Sequence, residues 1–136
     1  MKKIISFWLP PVLWMSLIFF LSSFHKLQAS PVGWQDFVIR KLAHLGEYAI
    51  LCFLYYRGLT NTTKISLVKS LLLAFFMAVL YALSDEYHQT FINGRTGRSF
   101  DIGVDSFGAF FGLFFSWKII PFLPEKIKKI LLEVTL

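Results

Sequence analysis

One stretch of the chain decides its fold: residues 67–91 read LVKSLLLAFFMAVLYALSDEYHQTF. Its apolar part is a run close to the length of helix that crosses a bilayer, about 20 residues. The run ends in Asp85 and Glu86. Charged side chains in a membrane segment are costly, and proteins that retain them usually use them for function. The stretch therefore predicts a membrane-spanning helix that ends in a functional region.

The composition of the whole chain agrees with this prediction. Of its 136 residues, 56% are hydrophobic and only 16% are charged, and the mean hydropathy is +0.61. Average soluble domains carry about a quarter charged residues. We therefore predict a single integral membrane domain over residues 1–136. The lone cysteine, Cys52, excludes an intrachain disulfide and a multi-cysteine metal site, and we interpret it as a small buried hydrophobic residue.

Four apolar stretches predict an all-α fold, an integral membrane four-helix bundle with short loops. The predicted helices are residues 4–24, 37–59, 67–91 and 101–122. Each has about the length that a bilayer requires. Turn-forming residues lie between them, at 30–33, 58–61 and 93–97.

The first predicted helix allows more than one interpretation. Pro10 and Pro11 predict either a kink or a late start of its regular part. The stretch also resembles a signal peptide, with Lys2 and Lys3 before an apolar run. That run is too long for a typical signal sequence, so we predict that the helix is retained.

Basic residues predict the orientation, because cytoplasmic loops carry an excess of Lys and Arg. With the N-terminus inside, nine of the fourteen basic residues fall on the inner side: Lys2, Lys3, Arg57, Lys64, Lys69, Lys118, Lys126, Lys128 and Lys129. We therefore expect both termini in the cytoplasm. The net charge of +6 then faces anionic membrane lipids rather than nucleic acid. Residues 126–136 alternate basic and apolar, which predicts either a segment along the inner surface or a solvated tail.

Ionisable residues gather in the outer half of the predicted bundle. Lys41, His44 and Tyr48 fall on one stripe of the second helix at about 100° per residue. The third and fourth predicted helices and the loop between them add further polar residues to this half. They are Asp85, Glu86, Gln89, Arg95, Arg98, Asp101 and Asp105. The three cations and four acids nearly cancel, as burial requires. Two interpretations stay open: a functional pocket, or a polar network that fixes the helix register. Below this region, Gly108, Gly112 and Ser116 predict close helix packing.

Several of these motifs resemble the VanZ-like family. They are KLAHLGEY at 41–48, LSDEYHQ at 83–89, GRTGRSFD at 94–101 and GAFFG at 108–112, with Leu21-Ser22-Ser23 also fitting. The resemblance covers nearly the whole chain. It implies a small multi-pass protein of the bacterial cytoplasmic membrane, in a family named after an accessory factor for resistance to the glycopeptide antibiotic teicoplanin.

The family pattern carries over onto nine positions of this chain: Lys41, His44, Tyr48, Asp85, Glu86, Gln89, Arg95, Ser99 and Asp101. Asp105 departs from it, because Asn is expected there. Asp105 is therefore either a site residue or a counter-ion for Arg98.

The first functional hypothesis is binding of an anionic lipid-linked headgroup. Candidates are polyprenyl-phosphate-linked envelope precursors and anionic phospholipids. Arg95 and Arg98 can each form paired hydrogen bonds with phosphate oxygens, and Lys41 adds a point charge. His44, Tyr48 and Gln89 would supply neutral hydrogen bonds.

The second hypothesis is an intramembrane hydrolase or transferase acting on such a lipid. Glu86 or Asp85 would be the general base and His44 the acid or second base. We expect no cofactor, although Asp85, Glu86, Asp101 and His44 would favour Mg or Mn if a divalent cation were bound. An ion-coupled transporter ranks third, because no charged residue is evident in the inner half of any predicted span.

Overall fold

The computed structural model describes residues 2–24, 31–93 and 99–133. Over these ranges the chain forms five α-helices and no strands, which confirms the all-α class for the described part. The helices are α1 (Lys2–Ser22), α2 (Gly33–Thr62), α3 (Leu67–Gln89), α4 (Ser99–Phe114) and α5 (Glu125–Glu133). After α4 the chain continues as a π-helical turn, Phe115–Ile119, and a 3-10 turn, Ile120–Phe122.

Three of the described helices are long and apolar enough to cross a membrane. They are Lys2–Ser22, Leu67–Gln89 and the continuous segment Ser99–Phe122. Helix α2 has 30 residues but is less apolar, because its sequence includes Asp36, Arg40, Lys41, Glu47 and Arg57. A fourth crossing by residues 37–59 stays a prediction.

The prolines and the predicted turn at 58–61 do not interrupt the helices. Helix α1 begins at Lys2 and includes Pro10 and Pro11, so the predicted late start is wrong. The turn is also wrong, since α2 continues to Thr62. Thr60 Oγ1 donates to the Tyr56 carbonyl at 2.9 Å, and Asn61 and Thr62 donate in the same way to carbonyls four residues earlier. These turn-forming side chains are satisfied within the helix itself.

Helix α2 is the central helix and contacts α1, α3 and α4. It runs in the same direction as α4, because Gly108 lies against Leu45 and Gly112 against Ala49. A Cβ atom on Gly108 or Gly112 would overlap the carbonyl oxygens of Leu45 and Ala49, respectively. Glycine therefore allows the close approach of the two backbones, as the four-residue spacing predicts.

Helices α1 and α3 also run in the same direction. The Tyr81 hydroxyl of α3 donates to the Met15 carbonyl at 2.6 Å, and Ser22 Oγ reaches Asp85 further along both helices. As a result, α1 and α3 finish where α2 and α4 begin. We call this end of the molecule, with Ser22, Lys41, Asp85 and Asp101, the polar end. Cys52 is fully buried in the core below it, as predicted.

Candidate functional site

Asp85 connects two helices at the polar end. Its carboxylate accepts a hydrogen bond from Ser22 Oγ of α1 at 2.6 Å and another from Gln89 Nε2, one turn later on α3, at 2.9 Å. All three residues are buried. Hydrogen bonds to an ionised group are among the stronger ones, so these two donors stabilise a carboxylate at a place where burial alone would disfavour it.

The predicted stripe on α2 faces α4. Lys41 Nζ lies 2.6 Å from Asp101 Oδ1, and His44 Nδ1 lies 3.3 Å from Asp105 Oδ1. Residues at i and i+3 of one helix meet residues at i and i+4 of the other, which is the spacing that places side chains on one face. The ion pair is well formed, whereas the His44 nitrogen is not aligned for a hydrogen bond.

The innermost residues of this region form what we call the deep cluster: His44, Tyr48, Asp85 and Asp105. They are close enough to interact electrostatically. Tyr48 is 0% and Asp105 is 1% exposed. Among the residues that the structure describes, the Tyr48 hydroxyl, His44 Nδ1 and both Asp105 oxygens have no hydrogen-bond partner. An unsatisfied buried polar group costs about 1–3 kcal/mol, so the deep cluster offers polar atoms that an occupant could satisfy.

The remaining predicted site residues are placed differently from one another. Glu86 is buried on α3, next to Asp85 in sequence. Ser99 is exposed at the start of α4. Arg95 and Arg98 lie outside the described residues, so their predicted role stays a prediction. Among the predicted site residues that the structure describes, Lys41 is the one lysine or arginine, against four acids. Its charge is already paired with Asp101.

The structure places other features away from the polar end. A surface cavity of about 390 Å³ is lined by α5 residues, including Lys126, Lys129 and Leu132. Within the described ranges, no group of three or more His, Cys, Asp or Glu side chains is placed to hold a metal ion. The divalent-cation set of Asp85, Glu86, Asp101 and His44 stays a prediction.

Sequence reasoning missed the tie between His88 and α1. His88 Nε2 lies 3.0 Å from Ser23 Oγ, and its ring stacks on Phe19 at 4.3 Å between centroids. The position of His88 near the end of α3 indicates that it lies at the polar end, but the sequence does not indicate its partner. His88 therefore helps to join α1 to α3 beside Asp85.

Sequence reasoning counted Arg57 among the inner-side basic residues but missed its burial and its contacts. Arg57 is buried in α2, and its guanidinium lies 5.0 Å from the centre of the Phe7 ring. Its Nε donates to the Leu132 carbonyl at 3.4 Å. The signal was present, since Arg57 interrupts the apolar run LCFLYYRGL at 51–59. Its partners place it in a contact with α1 and α5.

The comparisons with known proteins agree with the predicted family. The VanZ/LLP1 family model matches residues 7–121, which include every described residue of the deep cluster. No curated protein and no solved structure matches the chain. The family model covers most of the sequence, and three helices are compatible with a membrane. The chain is thus a VanZ-like membrane protein and belongs to the VanZ/LLP1 family.

Proposed function

We propose that the polar end binds an anionic lipid-linked headgroup at the outer leaflet of the bacterial cytoplasmic membrane. The observation that carries this proposal is the deep cluster, where the Tyr48 hydroxyl and the Asp105 carboxylate are buried without hydrogen-bond partners among the described residues. Buried polar atoms are nearly always hydrogen-bonded. A headgroup that enters between α2, α3 and α4 would supply the missing bonds.

The chemistry of the exposed and buried residues favours a headgroup with two kinds of groups. Asp105 accepts hydrogen bonds and therefore needs a donor, such as a sugar or glycerol hydroxyl. Lys41 lies nearer the surface, with 22% of its side chain exposed, and can approach a phosphate. Polyprenyl-phosphate-linked envelope precursors and anionic phospholipids carry both kinds of groups.

The charge balance assigns the arginines a central role in this proposal. Asp85, Glu86, Asp101 and Asp105 outnumber Lys41, so an anion would be repelled unless further cations approach it. Arg95 and Arg98 follow α3 in sequence and supply those cations. Guanidinium groups bind phosphate through paired, parallel hydrogen bonds that lysine cannot form.

The proposal includes a four-helix bundle in which α2 also crosses the bilayer, with both termini in the cytoplasm. The bias of basic residues towards the other end of the molecule supports this orientation. It places the polar end on the side where glycopeptide antibiotics act. A role in the cell envelope, linked to teicoplanin resistance, follows from the family's name and is part of this proposal.

Arg95 variants test the proposal by native mass spectrometry of the purified protein. We expect the wild type to retain an anionic lipid, Arg95→Lys to retain less, and Arg95→Ala to lose most of it. Arg40→Ala is the matched control, because Arg40 lies next to Lys41 but binds Asp36 at 2.7 Å, with 41% of its own side chain exposed. Equal retention by all three variants and the wild type would contradict binding at the polar end.

A second candidate function, an intramembrane hydrolase or transferase, is favoured by one observation. His44 Nδ1 lies 3.3 Å from Asp105 Oδ1, so a small rotation of the ring would form the hydrogen bond by which a carboxylate orients a histidine as a general base. Asp85 is engaged by Ser22 and Gln89, which leaves Glu86 as the other acid–base residue. Turnover of a labelled polyprenyl-phosphate-linked sugar should be lost in His44→Gln and Glu86→Gln. Undiminished turnover in both variants would remove this candidate.

A further inference from the structure

Helix α5 has the side-chain distribution of a helix that lies in a membrane interface. At about 100° per residue, Ile127, Ile130 and Leu131 fall within an arc of roughly 100°, and Lys126 and Lys128 flank this arc on its two sides. Interfacial helices carry an apolar face between basic residues. Long lysine side chains at the two margins can reach towards headgroups while the apolar face is submerged.

The apolar face of α5 is not buried against the rest of the protein. Ile130 is 55% and Ile127 is 43% exposed, and Phe122, just before the helix, is 87% exposed. In water this exposed face would gain no hydrophobic stabilisation from folding. In the boundary between headgroups and acyl chains it is favourable, so the exposed face points to a lipid surface.

Contacts with α2 fix the position of α5. The Leu132 carbonyl, in the last turn of α5, accepts hydrogen bonds from Asn61 Nδ2 at 3.0 Å and Arg57 Nε at 3.4 Å. Asn61 lies one residue before the end of α2, where this helix finishes opposite the polar end. Helix α5 is therefore held at that end of the bundle rather than extending as a solvated tail.

The positive charge at this end of the protein favours anionic lipids. The basic residues there, besides those of α5 and the buried Arg57, are Lys2, Lys3, Lys64, Lys69 and Lys118. Within α5, Glu125 pairs with Lys128 at 2.6 Å, but 88% of the Glu125 side chain is exposed, so the pair is weak. We propose that α5 binds anionic phospholipid headgroups in the leaflet next to the start of α1, with its lysines at the phosphates and its isoleucines among the acyl chains.

A fluorophore that responds to polarity tests the depth of α5. The label is attached to Ile130→Cys, or to Glu125→Cys on the opposite side of the helix, in full-length protein that also carries Cys52→Ala. The protein is reconstituted into phosphatidylcholine vesicles with or without phosphatidylglycerol, both with brominated acyl chains. We expect strong quenching at position 130 only with phosphatidylglycerol, and weak quenching at position 125 in both.

Charge variants test the role of the lysines. Lys126→Gln with Lys128→Gln removes two charges, and each is worth about 1 kcal/mol at an anionic surface, so the ratio of bound to released helix should fall about thirtyfold. Lys126→Arg with Lys128→Arg keeps the charge and should behave as the wild type. Salt at 1 M, where the Debye length is about 3 Å, should weaken the wild-type response.

Two outcomes would overturn this inference. One is equal quenching at positions 125 and 130 in phosphatidylglycerol vesicles: weak quenching at both would mean a solvated helix, and strong quenching at both would mean a helix with no side facing the headgroups. The other is quenching at position 130 that does not change with phosphatidylglycerol or with the glutamine variants, which would mean apolar insertion without headgroup binding. Neither outcome depends on the polar end, so the proposed headgroup site stands or fails separately.

Discussion

At the scale of single residues, two ion pairs of equal length differ in how far they are buried. The Lys41–Asp101 and Lys128–Glu125 pairs both have a nitrogen–oxygen distance of 2.6 Å. Asp101 is 18% exposed, whereas Glu125 is 88% exposed. Water screens the second pair and competes for its hydrogen bonds, so the first pair should contribute more to stability.

Double-mutant cycles should show this difference. We expect a coupling free energy above about 1 kcal/mol for Lys41→Gln with Asp101→Asn, and below about 0.5 kcal/mol for Lys128→Gln with Glu125→Gln. The measurement is unfolding in detergent micelles for each single and double variant. Equal coupling in the two cycles would mean that Asp101 is as accessible to water as Glu125.

The residue scale also shows what periodicity can predict. The stripe of Lys41, His44 and Tyr48 follows from the helical repeat, and the structure places all three side chains towards the interior of the polar end. The partners do not follow from periodicity, because they depend on how one helix is rotated against another. The Ser22 bond to Asp85 and the buried Arg57 were therefore accessible only from the structure.

At the scale of helices, the contact between α2 and α4 depends on two glycines. Gly108 and Gly112 let the backbones approach to a distance that no side chain would permit. The same two helices carry the Lys41–Asp101 and His44–Asp105 contacts one to two turns away. Any separation of the helices therefore disturbs the polar end as well.

Gly108→Ala should destabilise the protein by about 1–3 kcal/mol, because the added methyl group forces the Leu45 backbone away. Gly103→Ala is the matched control on the same helix, since a Cβ atom there meets nothing within 4 Å. The control should keep or slightly raise stability, as alanine favours helix. Thermal unfolding in one detergent measures both. A similar loss in the two variants would contradict a glycine-dependent contact.

The helices themselves were predicted better than their ends. The start of α3 at Leu67 and the apolar character of α1, α3 and α4 follow from the hydropathy pattern. The turn predicted at 58–61 failed because Thr60, Asn61 and Thr62 bond back to their own helix. Composition cannot distinguish this use of polar side chains from a turn.

At the scale of the whole molecule, the helices form two pairs with a common direction, α1 with α3 and α2 with α4. This arrangement gathers candidate site residues of α2, α3 and α4 at one end and α5 at the other. Hydropathy predicted four apolar segments, and three of the described helices are long and apolar enough to cross a membrane. The tie of α5 to α2 depends on two backbone-directed bonds. Such bonds have no signature in a single sequence.

Cysteine accessibility tests the proposed orientation. In a Cys52→Ala background, a membrane-impermeant maleimide should label Asn93→Cys in intact cells and Lys64→Cys only after permeabilisation. Both positions are exposed and lie outside the helices, at opposite ends of α3. The reverse labelling pattern would place the polar end, and its proposed headgroup, in the cytoplasm.

The Lys41–Asp101 pair also bears on the biogenesis of the protein. The ribosome makes the α1–α2 hairpin first, so Lys41 reaches the translocon long before its counter-ion on α4 exists. Asp85 in turn arrives while Ser22 is already in place. In the proposed four-helix arrangement, where α2 also crosses the bilayer, the first hairpin would enter with an uncompensated charge, which is costly in lipid. On that arrangement its stable insertion would follow the arrival of the second hairpin, and a nascent chain stopped between them would be a target for membrane quality control.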